Sequence, residues 1–99
     1  MKKLPLEMDT QIIRNESDFL FTEVDNEIVL MSITNDDLFS MNPMAAFIWK
    51  LLGKQQSFGA LIEQLTLQFK VEKEQCIQEV KAWILEMIKV NIVQKIQVG

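Results

Sequence analysis

Residues 35 to 53 read NDDLFSMNPMAAFIWKLLG, and the fold turns on how this stretch is divided. Asn35-Asp36-Asp37 is a turn, because Asn and Asp tolerate left-handed backbone and satisfy their own backbone groups. Leu38-Phe39-Ser40-Met41 then reads as a strand. It stops at Asn42, a good helix N-cap, followed by Pro43 at the first helical position, where a missing N–H costs nothing. The helix runs from Pro43 to about Leu52, and Gly53 is expected to end it by accepting positive φ. A strand of four residues cannot complete a sheet, so it must pair with something else.

Upstream, short strands are predicted at Gln11-Arg14, Phe19-Val24 and Ile28-Ile33, with Asp25-Asn26 as a hairpin turn between the last two. Residues 1 to 10 show no clear period and read as a flexible N-terminal arm. Downstream, a second helix starts after Ser57, a plausible N-cap, and turns Leu61, Ile62, Leu65 and Phe69 inward. A third helix spans about Glu72 to Val90 and ends at Asn91, which suits a left-handed cap. Ile92 to Ile96 follows as a short extended segment. In the first helix Met44, Phe47, Ile48, Leu51 and Leu52 share a buried face, with Trp49 offset to one side. Strands followed by helices indicate an α+β domain, winged-helix-like, with a three-stranded antiparallel sheet followed by three helices.

The 99 residues suit one domain, and 48% hydrophobic with 24% charged residues is ordinary for a globular protein. No run approaches the roughly 18 apolar residues of a membrane span, and Met1-Lys2-Lys3 leads into no apolar signal core, so the expected location is the cytoplasm, with no membrane partner. One cysteine, Cys76, and no histidine fit a reducing compartment and argue against a metal site. Residues 1 to 40 hold nine acids (Glu7, Asp9, Glu16, Asp18, Glu23, Asp25, Glu27, Asp36, Asp37) against three bases (Lys2, Lys3, Arg14), a balance of -6. That part repels phosphate and can steer a basic peptide.

Catalysis needs a nucleophile beside a base, a carboxylate pair, a metal cluster or a phosphate cradle, and the sequence shows none of them. No catalytic residue and no cofactor are expected. A winged helix-turn-helix would read DNA with its third helix, yet Lys73, Lys81 and Lys89 face Glu72, Glu74, Glu79 and Glu86 there, a balance of -1. Phosphate contacts supply most non-specific affinity, so no nucleic-acid partner is expected, and a small winged-helix transcription regulator is kept as the alternative function.

At 100° per residue the third helix places Cys76, Ile77, Val80, Trp83, Ile84 and Met87 on one face, the expected core stripe. Ile88 lies at its edge and Leu85 beyond it. Lys81, Leu85 and Ile88 form a second line at i, i+4, i+7, which leaves Leu85 and Ile88 available to the core or to a partner.

The string NEIVLMSITNDDLFSMNPMAAFIWKLLG, followed by SFGALIEQLTLQFKVEKEQCIQEVKAWILEMIKVNIV, resembles the PqqD-like proteins. The likeness runs from about Ile12 to Val93. It rests on a hydrophobic strand before an acidic turn, the Phe39-Ser40-Met41-Asn42 step, Ile48-Trp49, Leu61 with Leu65, and Glu79-Val80. Glu79 stands where the family usually has Asp, and Asn91 where it has Gly after the third helix. The resemblance implies a RiPP recognition element over residues 11 to 99, which grips the leader of a ribosomally made precursor peptide. The leader would add as a strand to Leu38, Phe39, Ser40 and Met41 and pack on a helical wall of Lys81, Ile84, Leu85 and Ile88. Lys81 would pair with an acidic leader residue. The implied second partner is a maturation enzyme, either a leader peptidase or a radical S-adenosylmethionine enzyme. The compact length and the Phe47-Ile48-Trp49 step favour the leader peptidase of a lasso-peptide pathway. A homodimer through the open strand edge is the competing use of that edge.

Overall fold

A computed structural model describes residues 6–25 and 27–96. In chain order the elements are β1 (Gln11–Arg14), β2 (Phe19–Val24), β3 (Glu27–Ser32), β4 (Leu38–Met41), α1 (Pro43–Leu51), β5 (Gln56–Ser57), α2 (Phe58–Phe69), α3 (Lys73–Lys89) and β6 (Val93–Ile96). The α+β class and the antiparallel meander β2-β3-β4 followed by three helices are as expected, with the third strand one residue earlier. A second antiparallel sheet of order β5-β1-β6 was not anticipated. There β1 aligns Gln11 with Ile96 and Arg14 with Val93, joining segments near the two ends of the chain. No described helix is long and apolar enough to cross a membrane.

Local chemistry sets the helix boundaries. The Asn42 side chain accepts from the Ala45 N–H at 2.9 Å with Pro43 next to it, and the Ser57 hydroxyl accepts from the Ala60 N–H at 3.1 Å. At the end of α3, Asn91 takes φ 71°. Its N–H reaches the Ile88 carbonyl at 3.0 Å and the Ile92 N–H reaches the Met87 carbonyl at 2.8 Å. These two bonds make a Schellman closure, which fixes where the chain leaves α3 for β6. Asp25 (φ 59°) and Asp36 (φ 62°) adopt the left-handed backbone that the turns require, while Asn26 lies outside the described residues.

Gly53 departs from expectation. It is not left-handed; the helix closes instead through Leu52 at φ -80° and a 3.2 Å bond from the Gly53 N–H to the Lys50 carbonyl. Its missing side chain serves space: a Cβ there would lie 3.2 Å from Arg14 Cζ. That guanidinium explains a second departure, Trp49, which is 1% exposed although the helix pattern sets it aside. Arg14 Cζ sits 4.9 Å from both the Trp49 and Phe21 ring centroids, and Arg14 Nη1 donates to the Trp49 carbonyl at 3.1 Å. Phe21 meets Trp49 edge-on at 5.5 Å. One cation thus joins β1, β2 and α1, a contact invisible to helical periodicity.

The expected flexible arm covers residues 1 to 10, of which 1 to 5 lie outside the described residues. Residues 6 to 10 are held: Leu6 is buried, the Gly59 N–H donates to the Met8 carbonyl at 2.8 Å and the Phe58 N–H to the Thr10 carbonyl at 2.9 Å. The core fills the space between the sheets and helices with Ile12, Ile28, Leu30, Ile48, Trp49, Phe58, Leu61, Leu65 and Ile84, among others.

Candidate peptide groove

Strand β4 is an edge. It pairs with β3 alone, through Ile28↔Met41, Val29↔Ser40, Leu30↔Phe39 and Met31↔Leu38, and no described strand lies on its other side. In an antiparallel ladder the residues alternate in where their N–H and C=O point, so half of the strand's backbone groups face outward. The register also fixes the side chains. Phe39 and Met41 share the inner face with the buried Leu30 and Ile28, whereas Leu38 and Ser40 point out.

Along that edge runs a cavity of about 330 Å³. Leu38 to Asn42 form one side, Ala45 of α1 one end, and Trp83 with Met87 of α3 the opposite wall. The furrow continues in both directions. Past Met41 it enters a cavity of about 170 Å³ lined by Met44, Ala45, Ile48, Glu79, Val80 and Trp83. Past Leu38 a cavity of about 300 Å³ lies among Asp18, Phe19, Asn35, Asp37, Phe39 and Val90. Phe19 and Phe39 meet edge-on at 6.1 Å in its floor. Among the described residues, the charged ones lining these three stretches are Asp18, Asp37 and Glu79, all acidic.

The four strand residues expected from the sequence therefore lie together on one groove. The four helical ones do not form its wall. Ile84 is completely buried, and Lys81, Leu85 and Ile88 are absent from the groove lining; Leu85 and Ile88 pack against the core. Viewed down α3 with Ile84 at the centre, Lys81, Leu85 and Ile88 fall to one side, while Val80, Trp83 and Met87 fall to the other, at the helical 100° step. The groove lies on the second side. Trp83 and Met87, half-buried, pack against the core as expected and also line the furrow, whose lining does not include Lys81.

The furrow offers backbone pairing and apolar contact, with little for bond-making chemistry. Cys76 is buried, and burial together with the nearby Glu79 charge raises its thiol pKa above the ordinary 9.0, so it stays protonated at neutral pH. Among the described residues no three His, Cys, Asp or Glu side chains are grouped to hold a metal ion.

Comparison with known proteins accords with this geometry. The solved structure of TbiB1 in complex with the TbiA(beta) leader peptide superposes with a TM-score of 0.74 at 14% identity, over 87% of this chain and 100% of that one. At that identity the likeness concerns the fold. No curated protein matches the sequence. The family described as Coenzyme PQQ synthesis protein D (PqqD) matches residues 27–93, which take in β3, β4, the three helices and the furrow between β4 and α3. The chain belongs to the PqqD family.

Proposed function

We propose that this protein binds the leader segment of a ribosomally synthesised precursor peptide by strand addition to β4 and presents it to a maturation enzyme, without performing chemistry itself. One observation carries the reading: the edge of β4, unpaired among the described residues, borders a furrow walled by the apolar side chains of Trp83 and Met87, in a PqqD-family fold. The similarity to a protein solved with a leader peptide supports it. Between maturation enzymes, a leader peptidase of the lasso-peptide type is favoured over a radical S-adenosylmethionine enzyme, on the Phe47-Ile48-Trp49 step.

Energetics divide the labour between the edge and the wall. Ordering each leader residue costs roughly 1–2 kcal/mol, while a net hydrogen bond returns about 0.5–1.5 kcal/mol, so pairing alone about breaks even. Micromolar binding, about -8 kcal/mol, then needs two or three apolar side chains at up to ~1.5–3 kcal/mol each on full burial. The edge sets register; Trp83, Met87 and the Met44-Ile48-Val80 recess supply affinity. With Asp18, Asp37 and Glu79 along the furrow, the preferred leader carries apolar anchors flanked by Lys or Arg.

Calorimetric titration with the leader of the precursor encoded beside this chain tests the proposal. A one-to-one complex abolished by Pro in the paired stretch of leader supports strand addition. Absence of binding by calorimetry and by anisotropy refutes it. Sedimentation across concentrations checks the competing use, pairing of β4 with its counterpart in a second copy.

A further inference from the structure

The meander has a second face, which the furrow touches only at its β4 margin, through Leu38 and Ser40. Register places Leu20, Thr22 and Val24 of β2, Glu27, Val29 and Met31 of β3, and Leu38 and Ser40 of β4 on its outer side. Leu20, Met31 and Leu38 stand in one cross-strand row. Leu20 is 56% exposed, Val24 59% and Leu38 67%. Ile33, just past β3, is exposed as well. A water-facing sheet normally alternates apolar-in with polar-out, and an apolar row on the outer side marks a contact surface.

Its charges specify the partner. Asp25 and Glu27 lie at the hairpin end of this sheet, and Asp36 with Asp37 at the opposite end. From Asn15 to Trp49 the chain carries seven acids and no lysine or arginine. A second copy docking face to face would set acidic ends against acidic ends, which is repulsive. A partner with an apolar centre and a Lys/Arg rim fits instead.

We propose that the outer face of β2-β3-β4 is the docking surface for the maturation enzyme, through an apolar, basic-rimmed patch on that enzyme. This rests on the leader reading above and extends it to the second partner. Leu38 connects the two surfaces: a leader strand added beside β4 widens the same outer face, placing alternate leader side chains next to Leu38. The enzyme therefore meets a surface completed by the leader and binds the complex more tightly than the protein alone. Linkage makes the effect reciprocal, so the enzyme tightens leader binding by the same factor.

The test titrates the enzyme encoded beside this chain into the full-length protein, with and without leader. Two variants change outward residues only: Leu20→Thr with Met31→Thr, which keeps strand propensity, and Thr22→Lys with Glu27→Lys, which reverses the local charge. Each is expected to keep its circular dichroism spectrum and a leader Kd within about twofold of the parent, and to lose at least tenfold in enzyme affinity. Intact leader binding with unchanged enzyme affinity in both variants overturns this proposal alone. A parent dimer dissolved by either variant also overturns it, assigning the face to self-association. Failure of the parent to bind leader overturns the leader reading and this one with it.

Discussion

Replacing Trp83 by Ala separates the two flanks of α3. A fully covered aromatic buries roughly 150–250 Å², and Trp83 is half-buried, so a bound leader has on the order of 60 Å² of it left to cover. At about 25 cal/mol/Å² that area is worth ~1.5 kcal/mol, close to tenfold in Kd. Leu85→Ala is the matched control, since Leu85 packs on the core from the other flank. The expected pattern is a roughly tenfold weaker leader complex for Trp83→Ala, and for Leu85→Ala a lower Tm with Kd within twofold. Trp83→Leu retains bulk and should fall between, which guards against a fold effect of the alanine. Calorimetry for Kd and circular dichroism for folding give both readouts. If Leu85→Ala weakens the leader and Trp83→Ala does not, the placement of the groove is refuted.

Intrinsic fluorescence gives a second check: in a Trp49→Phe background, Trp83 emission should shift blue as leader is added, whereas in Trp83→Phe the buried Trp49 should stay silent. Asn42→Ala removes the bond to the Ala45 N–H and should cost about 1 kcal/mol, or roughly 4–8 °C in Tm, by thermal melt. Arg14→Lys should destabilise nearly as much as Arg14→Ala, because an ammonium lacks the planar face that packs beside the Phe21 and Trp49 rings while bonding the Trp49 carbonyl; denaturant titration measures both. The Cys76 thiol, with its pKa raised in the folded state, favours the fold fully below the ordinary value of 9.0. That contribution declines as pH rises above it, so native Cys76 should resist a thiol reagent at pH 8 and react once the protein is unfolded in denaturant.

The turn, cap and period signals carried most of the fold. Asn42-Pro43, Ser57 and Asn91 each act where local chemistry places them, because a cap is decided within four residues. Pairing across the chain was out of reach: nothing in Gln11 to Arg14 or Val93 to Ile96 names the other as its neighbour. The candidate site was half legible for the same reason. The edge of β4 follows from a short strand between an acidic turn and a proline-started helix. On α3, apolar residues spread to both sides of Ile84, toward Trp83 and Met87 and toward Leu85 and Ile88, and periodicity treats the two flanks alike. Only the position of β4 and α1 against the helix leaves the Trp83 flank open. Lys81 drew attention as a charge beside apolar neighbours, yet the furrow it was expected to serve carries acids.

Amide hydrogen exchange of the protein with and without leader tests strand addition most directly. Addition to β4 predicts new protection of alternate amides within Leu38 to Met41, with Val24 at the far edge of the sheet and Leu85 on α3 unchanged. Protection gained along β2 or around Leu85, with β4 unaltered, would contradict the account.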